Sequence, residues 1–338
     1  MLTNKKSIIV IGDVHGRTSW RQIVDKHPGC RFVFLGDYCD PYETIPGEAV
    51  LDNLKEIIQL KQSRPDEVVL LLGNHDVHYT EDGAPIGSRF SLEYMLVIEE
   101  LLTAYADCFQ CAYSEWGILF THAGVSEAWF RESFAGDVNG DIASQLKARC
   151  SDESVFHCGA SRGGPHPHGG IYWAGKSEMG RPLRGTVQVV GHTRTDGVER
   201  IESGNGVVYY CDCLEKGKYL MIDNADIPQF YELGIDDEEK SKIGTSMRFH
   251  ISETSFYEDG RLCPEPKETL EELETMYMGA CNKLKALPRE ISADEFDEND
   301  IEALNVSMAH MNLCSYIDEL EWKIDLKILH QKRNSQQG

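Results

Sequence analysis

Short apolar runs near the start of the chain each end at a glycine followed by a polar residue. Three such runs are Ser7–Ile11, Arg31–Leu35 and Glu67–Leu72, and continuous apolar runs of this length predict strands buried on both faces. The segments between them, Thr18–Asp25 and Ala49–Leu60, predict crossover helices from their composition and mostly helical spacing of apolar residues. This β-α-β-α-β order predicts a parallel sheet, whose strands collect functional groups at their carboxyl ends.

A second set of strands follows a predicted helix near Ser91–Tyr105. Phe109–Tyr113 and Gly117–Thr121 predict a hairpin around a polar turn, and Val187–Val190 predicts another strand. Glycine-containing turns join three further segments into a predicted meander: Val198–Glu202, Val207–Cys211 and Tyr219–Ile222. The pattern therefore predicts an α/β fold in which two mixed β-sheets pack face to face, flanked by helices.

The C-terminal part of the chain has a different pattern. From about Asp236 the strand signal fades, acidic residues outnumber basic ones, and Leu270–Leu287 and Ile301–Leu329 predict helices. The acidic run Asp294–Glu302 lacks the glycine and the ligand spacing of a calcium loop, which indicates a solvated surface. We therefore predict a strand-rich domain over residues 1–235 and an acidic, mostly helical extension over 236–338 that packs on it or is appended to it.

Charge and cysteine content indicate which partners and which cellular compartment to expect. The chain has 33 basic and 56 acidic residues, a net charge of −23, which repels a nucleic-acid polymer unless a basic stripe offsets it, and the sequence shows none. Its 11 cysteines are odd in number and irregularly spaced. No apolar segment resembles a signal peptide or a membrane span, so we expect a reducing, cytoplasmic setting without membrane attachment.

Five motifs lie at the ends of the predicted strands, and each contains a residue type that binds metals. They are Gly12-Asp13-Val14-His15-Gly16, Gly36-Asp37-Tyr38-Cys39-Asp40, Gly73-Asn74-His75-Asp76, His122-Ala123-Gly124 and Gly191-His192-Thr193. Each alone has an ordinary explanation as a turn or a helix cap. Their joint occurrence at strand ends instead indicates a two-metal phosphoester hydrolase, since carboxylates, imidazoles and a carboxamide form that ligand set.

The spacing of the motifs suggests how two cations are shared. Asp13 and His15 are one residue apart, so both side chains can face one cation at an extended strand end. Asp37, on the neighbouring strand, can bridge that cation and a second one. The second site is completed by a carboxamide oxygen and imidazoles, a mixture that suits Mn, Fe or Zn: Asn74, His122 and His192.

His75 has a different expected role. It follows Asn74 on a turn and therefore points away from the cation, where it can protonate a leaving alkoxide if a carboxylate holds its ring in the correct tautomer. Asp40 is the preferred orienting carboxylate. Asp76 is the competing candidate, although adjacent residues on a turn usually diverge.

Taken together, the motifs resemble the calcineurin-like metallophosphoesterases, and within them the phosphoprotein phosphatase-type branch, over about residues 7 to 225. The resemblance implies the αββα sandwich of that superfamily and two divalent metal ions, with Mn preferred over Fe or Zn. It implies that a metal-bridging hydroxide is the nucleophile and that His75 with Asp40 is the acid pair. It also implies the division of metal ligands: Asp13, His15 and Asp37 at one site, and Asp37, Asn74, His122 and His192 at the other. The segment Ile171–Glu178, followed by Val187–Thr193, is similar to bacterial members that include small protein phosphatases and symmetrical diadenosine-tetraphosphate hydrolases.

One departure from the family pattern affects the expected substrate. The branch normally continues from the last Asp of the second motif into Arg-Gly, and this arginine grips the phosphate, but here Pro41 follows Asp40. Basic residues from other loops must then hold the phosphate, and we favour Arg162 and Lys176. Arg184 and Arg194 are the alternatives.

Three functions remain open from the sequence. The first is a phosphomonoesterase of the protein-phosphatase type, acting on a phosphoprotein, a nucleotide or a small phosphoester. The second is a phosphodiesterase or nucleotide pyrophosphohydrolase with the same metals, since a diester carries one charge fewer and needs the missing arginine less. The third is a catalytically silent binding scaffold that uses the acidic extension, for which no partner is assigned.

Overall fold

The structure, a computed structural model, describes residues 7–245 apart from 81–83, 139, 204, 224–227 and 237–239. It also describes residues 257–258, 261–262 and single positions between 267 and 327. The chain forms two compact units, residues 1–250 and 251–338. All of the predicted site residues belong to the first unit. None of the described helices is long and apolar enough to cross a membrane.

Among the described residues, twelve strands belong to the first unit and two short strands to the second. In chain order they are β1 (Ile8–Ile11), β2 (Arg31–Phe34), β3 (Val68–Leu71), β4 (Phe109–Gln110), β5 (Ala112–Glu115), β6 (Ile118–Thr121), β7 (Thr186–Arg194), β8 (Glu199–Glu202), β9 (Gly206–Asp212), β10 (Lys218–Asp223), β11 (Gln229–Gly234), β12 (Ser241–Thr245), β13 (Tyr257–Glu258) and β14 (Arg261–Leu262). Strands β13 and β14 pair with each other as an antiparallel hairpin.

Two mixed sheets organise the first unit. Sheet A has seven strands in the order β12-β11-β10-β1-β2-β3-β4, and sheet B has five in the order β5-β6-β7-β9-β8. In sheet A, β1 to β4 run parallel while β10 to β12 are antiparallel to their neighbours. In sheet B, β6, β7 and β9 are parallel, and β5 and β8 are antiparallel edges. Two mixed sheets with flanking helices confirm the predicted fold class.

Helices connect the parallel strands and cover the sheets. They are α1 (Trp20–Lys26), α2 (Gly47–Ser63), α3 (Asn74–Val77), α4 (Met95–Ala104) and α5 (Ile142–Ala148). A π-helical turn covers Trp129–Ser133. Short 3-10 turns lie at Ala106–Cys108, Glu153–Phe156, Ala160–Arg162, Glu178–Gly180 and Leu214–Lys216. The crossover helices α1 and α2 lie where the sequence predicted them.

Strand β1 shows why its sequence is apolar without interruption. Successive side chains of a strand point to opposite faces of the sheet. Ile9 and Ile11 belong to the core between sheet A and the helices, whereas Ile8 and Val10 belong to the core between the two sheets. Both faces of the strand are therefore buried, which leaves its carboxyl end as the place where polar side chains gather.

The predicted hairpin is confirmed, since β5 and β6 pair as antiparallel neighbours, but the start of its first strand and the course of the predicted meander are wrong. The predicted strand Phe109–Tyr113 is divided at Cys111, because the chain leaves sheet A after β4 and enters sheet B as β5. The predicted meander ends after β9, since the next strand, β10, crosses to sheet A and pairs with β1. Strands buried on both faces look alike in sequence, so the apolar pattern does not say to which sheet a strand belongs.

Sheet A continues past residue 235, where the sequence analysis placed a domain boundary. Strand β12 pairs with β11 over Gln229–Thr245, and the first compact unit extends to residue 250. The predicted helices Leu270–Leu287 and Ile301–Leu329 lie outside the described residues except for single positions, and the acidic run Asp294–Glu302 lies wholly outside them.

Tyr209 of β9 and Phe230 of β11 stack between the two sheets, with ring centroids 4.1 Å apart and planes 3° apart. Both side chains are 0 % exposed. We predict that Phe230→Ala lowers the free energy of unfolding by about 3–5 kcal/mol, because it leaves a cavity between the sheets. Urea denaturation of the variant measures this. Tyr105→Ala, at a ring that is 37 % exposed, is the control and should cost less than about 1 kcal/mol. Equal losses would contradict a major role for the stack.

Candidate metal centre and active site

The strand ends bring the five motifs to one place. Asp13 follows β1, Asp37 follows β2, and Asn74 opens helix α3 after β3. From sheet B, His122 follows β6 and His192 lies near the end of β7. Because parallel strands end at the same edge of a sheet, these side chains converge where the two sheets meet.

The backbone at four motif residues is left-handed. These are non-glycine residues with positive φ, a conformation that costs about 1–2 kcal/mol for a residue with a Cβ: His15 (45°), Asp37 (53°), Asp40 (56°) and His192 (62°). Such strain persists only where the surrounding structure imposes it, and it clusters at functional sites. The packing of the two sheets therefore holds these side chains in place against the local backbone preference.

Two motif glycines allow neighbouring chain segments to approach closely. A Cβ at Gly191 would overlap the carboxylate of Asp13, and a Cβ at Gly73 would overlap that of Asp37. Glycine at these two positions lets the backbone pass directly against a carboxylate. At Gly191 this contact continues into a hydrogen bond, since the N–H of His192 lies 3.1 Å from Oδ1 and 3.0 Å from Oδ2 of Asp13.

The first cluster of candidate ligands contains Asp13, His15 and Asp37, whose ligand atoms all lie within 4.8 Å of one another. The Nδ1 of His15 donates to the carbonyl of Cys39 at 2.9 Å. Its Nε2, 3.6 Å from Oδ2 of Asp37, is therefore left with a lone pair for a cation. Burial lowers the pKa of His15 to about 4, so the ring is neutral near pH 7, as a metal ligand must be.

The second cluster contains Asp37, His122 and His192, again within 4.8 Å. The Nδ1 of His122 donates to the carbonyl of Leu35 at 2.8 Å, which leaves an Nε2 lone pair. This nitrogen lies 2.9 Å from Oδ1 of Asn74 and 3.5 Å from Oδ2 of Asp37. The Nδ1 of His192 lies 2.8 Å from the same Asn74 oxygen. Lone pairs that point at one another repel, so this arrangement of a carboxamide oxygen and ring nitrogens suits the ligands of a bound cation.

Asp37 belongs to both clusters. Burial opposes its ionisation, but His122, His75 and His15 outweigh burial and lower the pKa of Asp37 well below its ordinary value. A carboxylate with two oxygens at this position fits the role of a ligand shared by two divalent ions. The nitrogen and oxygen donors of the two clusters suit several divalent metals and do not select one.

A third carboxyl group, which the sequence analysis missed, lies beside the first cluster. Asp212 ends strand β9, is 6 % exposed, and its carboxyl group hydrogen-bonds that of Asp13. Burial and Asp37 raise the pKa of Asp212 to about 6, and burial, Asp212 and Asp37 raise that of Asp13. Divalent cations would offset this crowding of acidic groups. Asp212 could have been predicted from its place at the end of a buried strand, which it shares with Asp13 and Asp37.

Asp40 holds three side chains. Its Oδ2 lies 2.9 Å from Nδ1 of His75 and 2.9 Å from Nε2 of His78, and its Oδ1 accepts from the hydroxyl of Tyr79 at 2.5 Å. Because Gly87 N–H donates to Nδ1 of His78 at 3.1 Å, the His78 proton is on the nitrogen that faces Asp40. Burial alone would raise the pKa of Asp40, but these hydrogen bonds lower it. Asp40 is thus an ionised anchor for His75.

The sequence analysis did not identify His78 or Tyr79. They follow His75 by three and four residues, the spacing that places side chains on the same side of a helical turn. Their spacing from His75, the proposed acid, is the sequence feature from which they could have been predicted.

Asp76, the competing partner for His75, has a different set of contacts. It is 0 % exposed and accepts three backbone N–H groups, from Gly73 at 2.8 Å, Asp37 at 2.7 Å and Tyr38 at 2.9 Å. Burial and the Asp37 charge raise its pKa to about 8, against the effect of these donors. Asp76 therefore joins the second and third motifs through their backbone, and Asp40 is the carboxylate that contacts the His75 ring.

The two predicted phosphate-binding residues have different surroundings. Arg162 donates to the hydroxyl of Thr193 at 2.6 Å, next to His192, and its charge lowers the pKa of His192 after the effects of burial and His122. It therefore lies at the rim of the second cluster. Lys176 instead forms an exposed ion pair with Glu199 at 2.7 Å, which is an alternative to the phosphate contact predicted for it.

A family model described as calcineurin-like phosphoesterase matches residues 6–196 of this sequence. The chain belongs to that family. Family membership and the two ligand clusters make this protein a metal-dependent phosphoesterase with a candidate dinuclear metal site.

Three solved structures of phosphatases or phosphoesterases are similar to part of this chain. A cold-active protein-tyrosine phosphatase from a psychrophilic Shewanella species is 17 % identical with a TM-score of 0.49, covering 71 % of this chain and 80 % of its own. A protein serine/threonine phosphatase from Saccharomyces cerevisiae is 17 % identical with a TM-score of 0.44, covering 73 % and 82 %. A phosphoesterase from E. coli is 12 % identical with a TM-score of 0.35, covering 72 % and 99 %. No curated protein matches the chain. These likenesses do not assign a substrate.

We predict that Asp37→Asn in this phosphoesterase weakens binding of both metals by at least about tenfold, because one shared carboxylate serves both clusters. Metal content after dialysis against Mn²⁺, measured by plasma mass spectrometry, should fall from two ions per chain towards none. The control is Asp25→Asn, at an exposed carboxylate of α1, which should keep the full content. Two ions retained by Asp37→Asn would contradict the shared-ligand assignment.

Proposed function

We propose that this phosphoesterase is a phosphomonoesterase of the protein-phosphatase type. The observation that carries the proposal is the His75–Asp40 pair beside two clusters of metal ligands, with the guanidinium of Arg162 at their rim. A nucleophile site, a proton donor and a cation for the phosphoryl oxygens are the three parts that hydrolysis of a monoester dianion requires. We further propose Mn²⁺ as the resident metal and the cytoplasm as the location.

The residues of the site have distinct tasks in this proposal. Two divalent ions, when bound by Asp13, His15, Asp37, Asn74, His122 and His192, acidify a water molecule and balance phosphoryl charge. Arg162 binds phosphoryl oxygens through its planar guanidinium. His75, whose Nδ1 is engaged by Asp40, donates the proton on Nε2 to the leaving alkoxide. His78 and Tyr79 hold Asp40, and therefore the His75 ring, in position.

A second candidate is a phosphodiesterase or nucleotide pyrophosphohydrolase that uses the same site. Pro41 follows Asp40, so this loop supplies no guanidinium. A diester carries one negative charge fewer than a monoester and depends less on such a group. Hydrolysis of p-nitrophenyl phosphate and of bis-p-nitrophenyl phosphate by the Mn²⁺-loaded protein decides between them. Turnover of neither would contradict both enzymatic functions and favour a silent binding scaffold.

We predict that His75→Ala slows hydrolysis of an alkyl phosphate such as phosphoserine by about 10²–10⁴-fold. Hydrolysis of p-nitrophenyl phosphate should fall far less, since nitrophenolate leaves without a proton. Steady-state kinetics with both substrates measures the difference. His27→Ala is the control, because His27 precedes the amino end of β2 and contacts Tyr219 at 2.8 Å. Equal slowing of both substrates by His75→Ala would contradict the proton-donor role.

The pH dependence gives a separate test of the acid pair. Burial lowers the pKa of His75, but the carboxylates of Asp37 and Asp40 outweigh it, so the net pKa is raised above 6.5. A general acid must be protonated, so kcat/KM should decline as pH rises through this raised pKa. Asp40→Asn removes one of the raising carboxylates and should move the decline to lower pH. The same profile for the wild type and Asp40→Asn would contradict the pairing; Asp25→Asn is the control.

A further inference from the structure

Tyr42 lies at the entrance to the first ligand cluster. It follows Asp40 by two residues, and its ring meets the His15 ring edge-on with centroids 4.9 Å apart and the His75 ring with centroids 6.1 Å apart. The ring is only partly buried. Tyr42 thus contacts a candidate metal ligand and lies near the proposed acid, while part of its side chain stays exposed.

Two arginines from distant parts of the chain lie over this ring. The guanidinium of Arg194, at the end of β7, is 3.7 Å from the ring centroid, and that of Arg89, which follows α3, is 4.9 Å from it. Arg89 has a left-handed backbone, with φ of 64°. Both distances are within the range of cation–π attraction. The neutral ring of Tyr42 therefore holds two positively charged guanidiniums beside the site.

Neither arginine forms an ion pair with a residue that the structure describes. In the part of the chain that the structure describes, no carboxylate lies within 4.0 Å of either guanidinium, although Asp212 is close enough to Arg194 for its pKa to be affected. Arg17 and Lys176 differ, because they pair with Glu43 at 2.7 Å and with Glu199 at 2.7 Å.

A like-charged pair is unexpected in a chain with a net charge of −23. Acidic side chains are abundant, yet neither arginine pairs with one among the described residues. Two guanidiniums near one ring repel each other unless an anion is shared between them. An external anion would therefore gain from both charges without first breaking an ion pair.

The two arginines line separate clefts, and each cleft also contains a carboxylate that contacts a residue of the site. Arg194 lines a cleft of about 660 Å³ together with Asp212. Arg89 lines a cleft of about 350 Å³ together with Asp40 and Pro41. An anionic group in either cleft would therefore lie beside one of the two guanidiniums.

We propose that Arg89 and Arg194, held on Tyr42, form a second anion subsite that binds an anionic group next to the scissile phosphoester. The subsite rests on the proposed function, since it defines which phosphoesters are preferred. Guanidinium groups bind both phosphate and carboxylate through paired hydrogen bonds. The preferred substrate therefore carries a phosphate or a carboxylate close to the phosphoester that is cleaved.

Three phosphonates that are not hydrolysed test the subsite. Methylphosphonate has one anionic group, phosphonoacetate adds a carboxylate, and methylenediphosphonate adds a second phosphonate. Their affinities for the Mn²⁺-loaded full-length protein are measured by calorimetry at constant free Mn²⁺. The wild type should bind the two bifunctional compounds more tightly than methylphosphonate. The relative affinities of phosphonoacetate and methylenediphosphonate show whether the subsite prefers a carboxylate or a phosphate.

Variants at the subsite should remove this preference. Arg89→Ala combined with Arg194→Ala should weaken the bifunctional compounds by about tenfold more than methylphosphonate. Tyr42→Leu should have the same direction of effect, while Tyr42→Phe, which keeps the ring, should retain the preference. Arg21→Ala is the matched control, because it removes one positive charge from a side chain that is paired with Glu56 at 2.7 Å, and it should leave all three affinities unchanged.

The outcomes separate the subsite from the proposed function. Equal weakening of all three compounds in the double variant, or no preference in the wild type, would overturn the subsite. Hydrolysis of p-nitrophenyl phosphate by the same wild-type preparation reports on the proposed function independently. A protein that shows the preference in calorimetry but no hydrolysis would support the subsite and contradict the catalytic proposal.

Discussion

The crowding of buried carboxyl groups at the strand ends is the constraint on which the site depends. Asp13, Asp37 and Asp212 lie together with at most 6 % of each side chain exposed. Burial disfavours the charged form of such groups and their mutual repulsion adds to this effect, so the pKa values of Asp13 and Asp212 are raised. Positive charge must offset this repulsion, and neutral imidazoles at the same place provide ligands for divalent ions. Two divalent ions at the candidate metal centre would offset the charge of the carboxylates that the fold buries.

The fold supplies the energy that holds these groups together. Left-handed backbone at residues such as His15 and Asp37 is unfavourable by itself. The two cores, one between the sheets and one beneath the helices, stabilise the strands that lead into these turns. Asp76 then joins the turns through three backbone hydrogen bonds. Local strain at the site is thus offset by hydrophobic burial elsewhere.

Sequence reasoning identified the fold class and the convergence of the motifs because both follow from local pattern. A strand that is apolar on both faces must end in polar residues, and the ends of parallel strands must meet. The assignment of strands to sheets did not follow, since β10 is as apolar as its neighbours and only its partner β1 distinguishes it. Asp212, His78 and the Arg89–Tyr42–Arg194 contacts were missed for a related reason. Their roles arise from residues that are distant in sequence and adjacent only in the folded chain.

The departure at Pro41 connects the sequence with the outer part of the site. An arginine at this position would extend from the Asp40 loop; proline instead restricts the backbone, and the next residue, Tyr42, reaches the site entrance. A neutral ring there cannot hold a phosphate directly, but it can hold guanidinium groups supplied by other segments. In the proposed subsite these guanidiniums add positive charge at the entrance, beside the charge that Arg162 supplies at the second cluster. If the proposed function holds, the loss of one arginine and the gathering of two others are one change, which shifts recognition from the phosphoryl group towards its neighbour on the substrate.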